Sequence, residues 1–183
     1  SQFRQENPLL CHDLSEIDAF LEIMRGSDQT AQLRAKVAIQ TLVAACRLDS
    51  HRLESGLIEI FRNCKDRITQ TYVLDTLVAI EATNAGSEVI KQIDRNTRTY
   101  EYMSLTHGIR GRNIDFLFQG LARLRPPRLV DEVRKLFDHP DPVVLRGAIW
   151  LTGELRLRGL NDKLMVFLNS PYSAVRDEVA RVI

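Results

Sequence analysis

Asp138-His-Pro-Asp-Pro-Val-Val-Leu-Arg-Gly-Ala-Ile-Trp-Leu-Thr-Gly-Glu-Leu155 decides the fold, because a shorter version of it returns as Asn169-Ser-Pro-Tyr-Ser-Ala-Val-Arg-Asp-Glu-Val-Ala-Arg-Val-Ile183. A step of 31 residues lays Asp138 on Asn169, Pro140 on Pro171, Val144 on Val175 and Ile149 on Ala180, and carries Leu136 and Phe137 onto Phe167 and Leu168. Self-similarity at a period of about 20 to 50 residues is the signature of stacked units that bury their apolar faces only against neighbours. Such an array offers a binding surface more readily than a catalytic pocket.

Outward from this pair, apolar residues recur every three or four positions and no sustained two-residue alternation occurs, so the chain reads as all-α. An α-solenoid of about five helical hairpins is expected, in a single domain over 1–183 with repeats near 14–47, 50–85, 87–125, 128–158 and 160–183. The first helix is expected to start at Ser15 in a capping-box relation with Asp18, and Gly26-Ser27-Asp28 to end it and open the next. The second should turn Leu33, Val37, Thr41 and Ala44 inward. In the second repeat, Ser50 and Asp66 open the helices and Asn84-Ala-Gly86 closes the hairpin with an αL cap. The third repeat is irregular: two short helices, around Val89 to Ile93 and Thr99 to Leu105, precede a Gly-rich loop, Thr106 to Asn113. Matching Gly120 to Gly153 extends the repeat to the helix that follows, and Pro126-Pro127 stops it. Val179, Val182 and Ile183 end the array still wanting an apolar neighbour, so the chain is expected to be a piece of a longer protein or to stack on a partner; alternatively, the last helix simply covers its own hairpin.

An apolar share of 44% in 183 residues suits a folded domain, and a formal net charge of +1 gives no overall drive toward nucleic acid or an anionic membrane. No apolar run approaches the roughly 18 residues of a membrane span, so no membrane insertion by this segment is expected. Cys11, Cys46 and Cys64 form no Cys-x-x-Cys pair, which argues against a disulfide framework or zinc knuckle and for a reducing, cytoplasmic location. His12, His51, His107 and His139 are scattered with no metal-ligand spacing, and no nucleophile, base and orienting acid fall together, so neither catalytic residues nor a cofactor are assigned. Trp150 reads as a core residue, and His139 as a turn or capping residue.

Asp141-Pro-Val-Val-Leu-Arg-Gly-Ala-Ile-Trp-Leu-Thr-Gly-Glu-Leu155 resembles the HEAT-like repeats of the bilin-lyase type, whose usual core reads Val-Arg-x-x-Ala-Ala-x-Ala-Leu-Gly. Val175-Arg176 matches the Val-Arg pair directly, Arg146 sits one place later, and Leu33-Arg34-Ala-Lys-Val-Ala38 is a further match. The second and third repeats depart, with Tyr72 and no arginine at the corresponding place. The resemblance implies a right-handed stack of helix pairs serving as adaptor or scaffold, and it carries no catalytic residue.

Charge is uneven along the chain: residues 91–135 hold 10 basic and 5 acidic side chains, whereas 1–90 hold 9 and 13, and the remainder 6 and 6. The segment's cations are mostly arginines, whose forked guanidinium suits carboxylate or phosphate. Arg110 and Arg112 flank glycine just before a helix N-terminus, a favourable place for an anion. Arg95, Arg98, Arg110, Arg112 and Arg123 are the partner-binding candidates, with a solvated, ion-paired helical face as the plain alternative. The expected function is a non-enzymatic protein-protein interaction scaffold or regulatory adaptor whose partner is another protein with an acidic surface. The alternative is nucleic-acid or phosphate-ligand binding through residues 95–128.

Overall fold

In the computed structural model, residues 14–46, 50–104 and 114–183 are described, and all regular structure among them is helical. Two compact units result, one through Ala85 and one from Gly86 to Ile183. The first holds α1 (Leu14–Arg25), α2 (Gln29–Cys46), α3 (Ser50–Asn63) and α4 (Arg67–Ala79). The second holds α5 (Gly86–Ser104), α6 (Asp115–Leu124), α7 (Leu129–Leu136), α8 (Pro142–Glu154), α9 (Asn161–Val166) and α10 (Ser173–Val182).

The even-numbered helices, second in each expected hairpin, start and stop by repeated local chemistry. Aspartate side chains satisfy orphan N–H groups at three of their N-termini. Asp28 Oδ1 accepts from the Thr30 and Ala31 amides at 2.9 and 3.1 Å, Asp66 Oδ2 from Thr69 at 2.7 Å, and Asp141 Oδ1 from Val143 at 2.8 Å. Thr69 donates to Asp66 first through its amide and then through its hydroxyl, and this holds the Asp66 carboxyl below its ordinary range. At the other end, Glu81, Arg125 and Arg156 each take a left-handed backbone, with φ of 56°, 45° and 51°. Ala82 N–H then reaches Leu77 O at 2.9 Å and Leu157 N–H reaches Thr152 O at 3.0 Å, the long bond of the Schellman motif. After Arg125 comes Pro126, which has no N–H, so only the Arg125 amide returns, to Leu121 O at 3.0 Å.

Burial follows the same order. Gln32, Ala35 and Ile39 of α2 are buried, then Gln70, Val73 and Leu77 of α4, Ile114, Leu117 and Leu121 at α6, and Leu145, Ala148 and Thr152 of α8. These sets are related by steps of 38, 44 and 31 residues, and the step of 31 continues from Ala148 to Val179, which is also buried. Within the first unit α1 packs on α2 and α3, and α4 on α2 and α3; within the second, α6 packs on α5 and α8, and α8 on α7 and α10.

Several expectations are corrected. Leu33 and Val37 are exposed, at 43% and 54%, as is Thr41. The face one residue earlier is buried instead because Gln32 completes a polar network there: its Nε2 donates to Met24 O (3.2 Å) and Gly26 O (2.7 Å), and its Oε1 lies 3.0 Å from the Thr69 hydroxyl. Ser15 lies inside α1, which includes Leu14, and Asp18 is bound by Arg52 at 2.6 Å. The first hairpin boundary after α4 is set by Glu81, whereas Gly86 begins α5, where a Cβ would sit 2.4 Å from Pro126 Cβ. Residues 86–104 form one continuous helix, since nothing between Ile93 and Thr99 is a glycine or proline. Gly120 is not the counterpart of Gly153; burial and the left-handed caps relate α6 to α8 by 31 residues.

Candidate interaction surface

Of the four large apolar side chains exposed among the described residues of the first unit, Ile23 lies on α1 and the other three on α2 and α4. Lys36 Nζ of α2 meets Asp75 Oδ2 of α4 at 2.6 Å and lies 5.4 Å from the Tyr72 ring centroid, with both ion-pair side chains mostly buried. Gln40 Nε2 reaches Asp75 O at 3.5 Å. Together with the Gln32 and Thr69 contact, these bonds clamp the two helices side by side. Leu33 and Val37 sit one residue beyond Gln32 and Lys36, and Ile68 one residue before Thr69, so the clamp leaves an apolar strip on its outer side. Ile68 is 41% exposed. Leu33 and Val37, four residues apart on α2, and Ile68 on the neighbouring α4 are left in water, a surface a partner can dehydrate.

In the second unit the corresponding helices carry a different lining. Asp115, Phe118 and Gln119 of α6 and Arg146, Gly147 and Trp150 of α8 bound an open cleft of about 170 Å³. Arg146 Nη2 binds Asp115 Oδ1 at 3.1 Å across it. Gly147 has a steric reason: an added Cβ would stand 2.2 Å from Phe118 Cε2, so only glycine lets the helices approach this closely. Trp150 is half-buried at the rim rather than sealed in the core. A volume well under the roughly 300 to 1,000 Å³ of small-molecule pockets suits one side chain of a larger partner.

The arginines singled out from the sequence separate. Arg95 on α5 is engaged, 3.4 Å from Glu88 Oε1, a buried carboxylate that Lys91 also approaches at 3.8 Å. Arg123 is exposed on α6. Arg110, Arg112 and the neighbouring His107 lie outside the described residues, as does the side chain of Arg98. His139 serves its turn, Nδ1 accepting the Asp141 N–H at 3.0 Å while Nε2 lies 3.8 Å from Asp94 Oδ1. Among the described residues no three His, Cys, Asp or Glu side chains group as metal ligands, and no helix is long and apolar enough to cross a membrane. No family model, curated protein or solved structure matches the chain.

Two features were not legible in the sequence, and a third was legible in part. The exposed strip was hidden because Leu33, Val37 and Thr41 have good helical period, and period alone does not say which side faces in. The caps at Asp28 and Asp66 were expected and that at Asp141 was not, although all three carry one signal: each stands before a helix whose first buried residue follows three or four positions later. Arg156 and Arg158 fell in a stretch whose charges balance, and a segmental count could not flag them.

Proposed function

We infer that the chain is a HEAT-like α-solenoid of about five helical hairpins, working in the cytoplasm as a non-enzymatic scaffold or adaptor that binds another protein along its second helices. Support for the repeat comes from the buried sets at steps of 38, 44 and 31 and from the shared aspartate and left-handed caps. Lateral packing of α2 on α4, and of α8 on both α6 and α10, is the contact such an array uses. The observation that carries the binding role is the apolar strip of Leu33, Val37 and Ile68 on the second helices of the first unit.

The test is capture from native lysate by the wild type beside Leu33→Asp/Val37→Asp, with quantitative mass spectrometry. A protein held by the wild type and lost from the variant supports the reading; equal recovery of every protein removes the strip from it. The second reading, a nucleic-acid or phosphate ligand on residues 95–128, is favoured by one observation: Arg125 and Arg128 are exposed. Nucleic acid in the eluate, lost steeply as salt rises, would favour it.

A further inference from the structure

Two turns of the second unit present four arginines. Leu124-Arg125-Pro126-Pro127-Arg128 follows α6, and Leu155-Arg156-Leu157-Arg158-Gly159 follows α8. The Asp115–Arg146 bond and the Phe118–Gly147 contact both join the N-terminal halves of α6 and α8, so the two helices run parallel and deliver both turns to the same end of the unit. Arg125, Arg128, Arg156 and Arg158 are all exposed, and their side chains make no ion pair or hydrogen bond among the described residues. Other exposed cations of this unit are engaged: Arg134 holds Asp131 at 3.2 Å, Lys135 holds Glu132 at 2.8 Å and Lys163 holds Asp138 at 3.3 Å.

Backbone geometry adds a second observation. Arg125, Arg128 and Arg156 occupy left-handed conformations, with φ of 45°, 63° and 51°, where glycine sits without strain. Folding alone would be served better by glycine at Arg125 and Arg156, which cap α6 and α8, yet both positions carry a charged side chain. The C-terminal partial charge of each helix favours a nearby cation but does not require one in the left-handed position.

We propose that Arg125, Arg128, Arg156 and Arg158 form an anion-binding edge that takes a short acidic segment of a partner protein. The proposal rests on the protein-binding reading above and assigns the partner's chemistry. Guanidinium forks match carboxylates two bonds at a time. Packed helices lie about 8 to 10 Å apart, close to three residues of an extended peptide at about 3.3 Å each, so one strand can meet both turns. A short acidic segment needs only these few cations, whereas the chain's net charge of +1 supplies no wider attraction for a continuous phosphate backbone.

The test uses the full chain and fluorescein-labelled hexaglutamate, read by anisotropy, with a fluorescein-labelled thymidine oligonucleotide in parallel and thermal unfolding of each variant. Hexaglutamate should bind saturably to the wild type and about tenfold more weakly to Arg125→Gly/Arg156→Gly, while that variant unfolds at a higher temperature. Arg128→Gln/Arg158→Gln should weaken binding without the gain in stability. Leu33→Asp/Val37→Asp should bind hexaglutamate as the wild type does, so the fate of the apolar strip and the fate of this edge are read separately. Absent binding, binding by both arginine variants as tight as the wild type's, or tighter binding of the oligonucleotide that the same variants lose would overturn the proposal.

Discussion

The second helices α2, α4, α6 and α8 bury matching positions and share aspartate or left-handed caps at most of their ends, yet those of the two units expose opposite chemistry. In the first unit the charges, Lys36 and Asp75, are drawn between α2 and α4 and the apolar Leu33, Val37 and Ile68 are left outside. In the second unit Phe118 is drawn in against Gly147, and the surface keeps an ion pair, an amide and the rim of Trp150. One helix geometry therefore supports two surfaces, one suited to dehydration and one to directed polar contact. What differs is which residue fills the gap between neighbouring helices: a half-buried salt bridge holds the helices of the first unit, and glycine lets those of the second close up.

The largest expected effect tests that closing gap. Gly147→Val forces a side chain into Phe118 and should destabilise the protein by about 1 to 3 kcal/mol in denaturant unfolding. A change near zero would mean that the close approach of α6 and α8 does not matter to stability. Next come the caps common to both units: Asp66→Ala and Asp141→Ala should each cost about 1 kcal/mol, with Asp66 the larger because Thr69 binds it twice.

The Asp66 cap also carries a pH dependence. Its carboxyl is held below its ordinary range in the folded protein, so its stabilisation is present above the unfolded carboxylate value, about 3.9, and is lost as pH falls through the lowered folded value. The stability gap between wild type and Asp66→Asn should therefore narrow only in acid, below about pH 4. A gap that closes near neutrality would assign it to some other group.

Smaller changes separate the faces. Glu81→Gly and Arg156→Gly, one in each unit, should each stabilise by about 0.5 to 1 kcal/mol, because glycine tolerates the left-handed backbone that both residues hold. Smallest of all, Leu33→Asp/Val37→Asp should shift stability by within about 0.5 kcal/mol per site in denaturant unfolding. A large loss from this pair would place Leu33 and Val37 in the core after all.

Helical class was legible from period alone, and the stops at Gly26 to Asp28 and Pro126-Pro127 from the chemistry of those residues. The rotation of α2 was not, because Gln32 looks like a surface residue until Met24 O, Gly26 O and Thr69 are brought to it from other segments. Long-range partners decide such positions, and a local window contains none of them. The same limit hid the cap at Glu81: charged residues rarely hold a left-handed cap, and Gly86 nearby was the stronger local signal. The arginine edge escaped for a simpler reason, since only the packing of α6 on α8 brings the turns of Arg125 and Arg156 to one end of the unit.

The most direct test of the account is the solvent exposure of methyl groups in solution, measured as relaxation by a soluble gadolinium chelate on the free chain and again with a captured partner. Leu33, Val37 and Ile68 methyls should relax strongly in the free chain and become protected in the complex, while Leu57 and Leu77 stay protected in both. Leu33 and Val37 as protected as Leu57 in the free chain, or no change on adding the partner, would contradict it.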